Sequence, residues 1–186
     1  MAPRHTTASG TLLATLLAGA TAPGCSAPAQ SRDTQNAGPQ KGSSMDDLLQ
    51  SLDHHADVAV TVRQGTEHFD DGQITLVVRG DGKVSVDQLA AGATQHYALK
   101  LDAARVAQLG NLLAAHRFTA ARTTTLPRQP GDTQLALRVE RGGSQAFQAE
   151  LWDADRYKDA DLDAILHAAD ALIHEASGGK LGQPAP

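Results

Sequence analysis

Residues 73–86, QITLVVRGDGKVSV, hold two β-rich runs on either side of an Asp-Gly step. Ile74, Leu76 and Val78 alternate with Thr75, Val77 and Arg79; after the step, Val84 and Val86 alternate with Lys83, Ser85 and Asp87. Alternation with period two puts one set of side chains on each face of a strand, and Asp-Gly supplies the positive φ that a tight turn requires. A β-hairpin follows, with one apolar face that must be covered. The turn also spells Arg79-Gly80-Asp81, a tripeptide known as an adhesion signal, but the needs of the turn account for it.

The remaining runs supply partners and a cover. Residues 57–63 (DVAVTVR) alternate through Val58, Val60 and Val62 and read as a strand before the hairpin; Gln95 to Leu101 reads as one after it. Asp102 is placed to cap a helix carrying Val106, Leu109, Leu113 and His116 on one side, and Phe118 anchors its end in the core. Residues 119–131, with two prolines and three threonines in a row, form an exposed connection. Gln134–Glu140 and Gln145–Trp152 form a second hairpin around residues 141–144. Its Leu135, Leu137, Val139, Phe147, Ala149 and Leu151 face inward, and a charged row outside discourages edge association. Leu162, Ile165, Leu166, Ala169, Leu172 and Ile173 write a last helical stripe, stopped by Gly178-Gly179. The expected fold is therefore α+β: an antiparallel meander of about five or six strands with two amphipathic helices on one face.

The N-terminus reads as an address. Arg4 and His5 precede the apolar run Leu12–Ala20, which is shorter than the roughly 20 residues that span a bilayer, and small residues lead to Cys25. Cys25 is the one cysteine in the chain, so no intramolecular disulfide can form, and it stands where a bacterial lipoprotein signal is cut. Ala22 and Pro23 depart from the usual residues of that signal. The alternative is an ordinary secretory signal cut between Ala20 and Ala27. Residues 26–44 are rich in Ser, Pro, Gln and Gly and lack any large apolar side chain, the composition of a flexible tether. Ser44 to Asp47 resembles a capping box opening a short helix with Leu48, Leu49 and Leu52. The expected domains are a signal peptide (1–24), a lipid-anchored tether (25–44), one α+β domain (45–177) and a disordered tail (178–186). Acyl chains such as palmitate on Cys25 would hold the protein to a membrane of the bacterial cell envelope, with a soluble periplasmic or secreted protein as the alternative.

Candidate chemistry is sparse. His54, His55 and Asp57 lack a third ligand at helical spacing and read as a solvated helix end; His68, Asp70 and Asp71 read as an ordinary polar loop. The acidic stretch 153–163 fails the EF-hand pattern, having Tyr157, Lys158 and Ala164 where an oxygen ligand, Gly and Glu belong. Asp159 or Asp161 reads instead as a helix cap. Trp152 and Tyr157, the one aromatic pair beside a loop, are a candidate contact surface. No phosphate loop, metalloprotease helix or nucleophile elbow occurs, so catalytic, metal and cofactor residues are assigned to none and a non-enzymatic role is preferred. A net charge of -5, no basic run and 3% aromatic content argue against a nucleic-acid partner.

The order strand, hairpin, strand, helix, hairpin, helix, with Leu101 to Phe118 as its first helical unit, Asp132 ahead of the second hairpin and Leu162 to Ile173 closing it, resembles the emfourin-like family of small bacterial domains over roughly residues 58–176. The family's namesake inhibits thermolysin-like metalloproteases, so the resemblance implies a protein-binding module of the envelope with a protease as partner. It carries over no inhibitory residue. The rival expectation is a secreted enzyme or small-ligand carrier using loops at one end of the sheet, and such a protein needs a concave pocket of convergent polar groups.

Overall fold

The computed structural model describes residues 44–68 and 72–184. The expected signal segment, Cys25 and the expected tether up to residue 43 lie outside the described residues, as do Asp70 and Asp71. From Ser44 the chain runs α1 (Met45–Gln50), a 3-10 turn (Leu52–His54), β1 (Val58–Gly65), β2 (Gln73–Arg79), β3 (Lys83–Ala90), β4 (Ala93–Lys100) and α2 (Ala103–Ala115). A 3-10 turn (Phe118–Ala120), β5 (Gln134–Arg141), β6 (Ser144–Trp152), a third 3-10 turn (Asp153–Lys158) and α3 (Ala160–Ala176) complete it.

The strands form one six-stranded antiparallel sheet in the order β4-β3-β2-β1-β5-β6. The hairpin of residues 73–86 is thus its inner part rather than its end: β2 pairs with β1 on one side and β3 on the other. Its turn is built as the sequence requires. Gly82 has φ +83, its N–H donates to the Arg79 carbonyl at 2.8 Å, and the Asp81 carboxylate accepts from the Lys83 N–H at 3.0 Å. From β4, at one edge, α2 carries the chain back across the sheet so that β5 joins β1.

Every strand turns its apolar set the same way. Val58, Val60, Val62, Leu76, Val78, Val86, Leu137 and Val139 are each at most 3% exposed and form one cluster with Leu49 and Leu52, Val106 and Leu113 of α2, Phe118, and Leu166 and Ile173 of α3. α1, α2 and α3 therefore cover one face of the sheet. The apolar surface they remove from water is the main stabilising term. Phe118 is fully buried and meets Phe147 edge-on, with ring centroids 5.8 Å apart.

Local signals set the helix starts. Ser44 and Asp47 exchange hydrogen bonds as a capping box, Asp102 accepts from the Arg105 N–H, and Asp159 accepts from the N–H groups of Asp161 and Leu162. α1 crosses α2 at Gly110, where a Cβ would lie 2.2 Å from the Leu49 carbonyl oxygen. Residues 178–184, read from sequence as tail, fold back on α3: the Leu181 N–H donates to the Ser177 hydroxyl at 2.9 Å, and Leu181 packs on the core. Among the described residues no helix is long and apolar enough to cross a membrane.

Candidate functional site

Among the described residues, the helices leave the second face of the sheet open. Cross-strand registers line up its outward side chains in rows: Lys100, Lys83, Arg79, Ala59 and Glu140 in one, and Ala98, Ser85, Val77, Thr61, Arg138 and Gln148 in the next. At the β2–β3–β4 end these rows make a shallow depression of about 470 Å³. Its floor is Val77, Ser85 and Ala98, and its rim is Arg79, Lys83 and Lys100. Small side chains over three adjacent strands make the floor; long basic side chains at the strand ends make the rim.

The rim carries an excess of positive charge. Lys83 pairs with Asp81 at 2.8 Å, and hydrogen bonds from Lys83, first through its side chain and then its backbone, hold the Asp81 carboxyl below its ordinary pKa. Lys100 donates its ammonium to the Asp81 carbonyl, which carries no charge to balance it. The Arg79 guanidinium makes no hydrogen bond or ion pair with another described residue, and the residue is exposed. One carboxylate thus faces three cations in a chain whose net charge is -5. Acidic residues gather instead at the helices, among them Asp46, Asp102, Asp161, Asp163, Asp170 and Glu175.

A second concavity, of about 390 Å³, lies at the other end of the sheet between Gln64, Gly72, Asp153, Arg156, Asp170 and Gly182. Its Gln64, Asp153, Arg156 and Asp170 side chains are engaged with one another. Gln64 donates to Asp170 at 2.8 Å, and Arg156 donates to Asp163 at 3.0 Å with Asp170 3.9 Å away. Burial works against the Arg156 charge, but the hydrogen bond to Asp163 and the charges of Asp170, Asp163 and Asp153 outweigh it and raise its pKa above the ordinary value. The arrangement ties the 3-10 turn 153–158 to α3 and to the end of β1. Beside it, His116 and Arg117 bond Asp161, chiefly the His116 contact keeping that carboxyl low.

The residues singled out in the sequence are scattered over the structure. Trp152 ends β6 on the open face, half-buried, with its indole N–H donating to the Leu126 carbonyl at 3.0 Å. Tyr157 is 79% exposed in the following turn, 5.8 Å from the Arg156 guanidinium. No ring contact joins the two. His68 is exposed beside Glu67, and His96 bonds Asp87 on the open face at 2.6 Å. The carboxylates of 153–163 serve locally: Asp155 accepts from the Trp152 N–H, Asp159 caps α3, Asp161 binds His116 and Arg117, and Asp163 binds Arg156. Among the described residues no group of His, Cys, Asp and Glu side chains could hold a metal ion. The cationic rim is the feature that sequence reading did not single out. Its members are up to 21 positions apart and come together only through the β2–β3 and β3–β4 registers. Extending the register of the Asp81-Gly82 hairpin by one strand was the signal that could have found it.

No protein-family model matches the chain, and no curated protein matches it.

Proposed function

We propose that this is a cell-envelope lipoprotein, anchored through acyl chains on Cys25, whose α+β domain binds a protein partner through the open face of its sheet. The observation that carries the binding role is the depression over Val77, Ser85 and Ala98 with its rim of Arg79, Lys83 and Lys100. It is shallow, lies on a face that no described helix covers, and has the opposite charge to the rest of the chain, the properties of a surface that steers and receives an acidic partner. The anchor rests on the sequence of residues 1–44: an apolar run, one cysteine at its end and a tether. A protease is the partner class that the emfourin-like resemblance implies.

The carrier reading is favoured by one observation, the concavity around Arg156 and Asp170. The mutual pairing of Gln64, Asp153, Arg156 and Asp170 weighs against it, because a ligand site keeps donors and acceptors for its ligand. Two measurements test the proposal. Mass spectrometry of the membrane fraction should find an acylated Cys25 at the mature N-terminus; an unmodified N-terminus beyond it, or a wholly soluble protein, refutes the anchor. Cross-linking in envelope extract should recover a partner with the native chain and lose it with Arg79→Glu combined with Lys83→Glu; equal recovery by both refutes the face.

A further inference from the structure

The two edges of the sheet are finished differently. At β6 the connection after α2 lies alongside: Thr124 donates its N–H to the Glu150 carbonyl at 2.8 Å, and the Glu150 N–H donates to the Thr123 hydroxyl at 3.2 Å. Both outward backbone groups of Glu150 are satisfied. β4 has no such cover among the described residues. It pairs with β3 from Lys83↔Lys100 to Ala90↔Ala93 without a register shift, so no bulge turns it away, and it contains no proline.

The register also says which groups are free. Leu101 donates its N–H to the Gly82 carbonyl at 2.9 Å, one step beyond the Lys83↔Lys100 pair. Alternation then directs the backbone groups of Leu99, Tyr97, Gln95 and Ala93 inward to β3. Those of Lys100, Ala98, His96 and Thr94 point outward. The two-residue turn at Ala91 and Gly92, with φ 50 and 75, closes on Ala90 and Ala93 as that alternation requires. No described residue hydrogen-bonds to the outward groups. The same strand carries Lys100 and Ala98 on the depression, and Tyr97 and Leu99 half-buried against the core on its other side.

We infer that β4 is the docking edge for an extended segment of a partner protein, which adds to the sheet as a seventh strand and alternates acidic with apolar residues. The inference deepens the protein-binding reading and rests on it. Its main chain takes up the free N–H and C=O groups of Thr94, His96, Ala98 and Lys100. Period-two alternation puts its acidic side chains next to Lys100 and the cationic rim and its apolar ones next to Tyr97 and Leu99. The chain's own tether fits poorly as occupant. Residues 26–44 offer one acid, Asp33, against Arg32 and Lys41, and no large apolar side chain.

The test uses the full chain in detergent and an eight-residue peptide alternating glutamate with valine, followed by fluorescence anisotropy. Ala98→Pro removes an outward N–H and blocks strand addition while leaving every bond to β3 in place. Lys100→Glu reverses the charge at the edge. Thermal melts establish that both variants fold. The native chain should bind the peptide, each variant should bind at least about tenfold more weakly, and a lysine–valine peptide should not bind. Absence of binding by the native chain, binding unchanged by Ala98→Pro, or equal binding of the lysine peptide overturns the inference. So does a native dimer in light scattering that Ala98→Pro dissociates, since the occupant is then a second copy. If the cross-linked partner of the open face is retained by Ala98→Pro, the edge inference fails and the protein-binding reading stands. If the peptide binds at β4 while no partner depends on Arg79 and Lys83, the wider reading fails instead.

Discussion

The same strands write two unlike faces. On β5, Leu137 is wholly buried and touches the helix layer, whereas its neighbour Arg138 is 43% exposed on the open side and bonds Glu140 at 3.3 Å. One face holds the domain together. The other contributes little to folding and has instead been filled with small floors, cations and a few ion pairs, while the helices that cover the first face hold much of the acid. On the proposed binding role the difference separates stability from recognition, and it implies that substitutions on the two faces have different readouts.

The largest effect should come from Leu137→Ala, which opens a cavity between the sheet and the helices and should cost about 2–5 kcal/mol in a urea titration. Gly110→Ala tests the layer above. Helix propensity alone favours alanine by about 1 kcal/mol. The Leu49 carbonyl, however, lies 2.2 Å from where the Cβ must go, so α1 has to move and the net result should be a loss of about 1–3 kcal/mol. A stabilised variant would show that α1 is free to shift.

At the surface of the helix layer, Arg105 grips Glu175 with two hydrogen bonds of 2.8 and 2.6 Å, the main reason that the Glu175 carboxyl lies below its ordinary pKa. A carboxyl lowered by folding contributes stability above its unfolded value, and that contribution is lost as pH falls through the folded value. Glu175→Gln should therefore cost up to about 1 kcal/mol at neutral pH, both partners being 42% exposed. The gap between native and variant melting temperatures should close as pH drops below the carboxylate range. A gap that persists in acid would assign the effect to packing. Arg138→Ala should be the smallest, within about 0.5 kcal/mol by the same titration. A cost as large as that of Leu137→Ala would abolish the distinction between the faces.

Much of the fold was legible because its signals are local. Alternation marked Val58, Val60 and Val62, Ile74 to Val78 and Leu135 to Val139 as strands facing one way, and Asp102 and Asp159 mark helix starts because a carboxylate satisfies orphan N–H groups wherever a helix begins. What alternation does not carry is neighbourhood. Nothing between residues 101 and 134 says that α2 returns the chain to pair β5 with β1, and the sheet order follows from which arrangement buries the apolar faces together. The acidic stretch 153–163 looked site-like in one dimension because five aspartates fall close together. Folding gives them separate local tasks: Asp155 and Asp159 accept from backbone N–H groups, Asp161 binds His116 and Arg117, and Asp153 and Asp163 flank Arg156.

The sequence by itself determined the elements of this protein, the inward set of side chains, the turn at Asp81-Gly82 and, by its lone Cys25 after an apolar run, an expectation of where the protein resides. Tertiary structure alone decided the rim of Arg79, Lys83 and Lys100, the cover over the β6 edge and the open β4 edge. The physical reason is that helix and strand signals depend on a few neighbouring residues, whereas a charged surface is the sum over residues that long-range pairing makes adjacent.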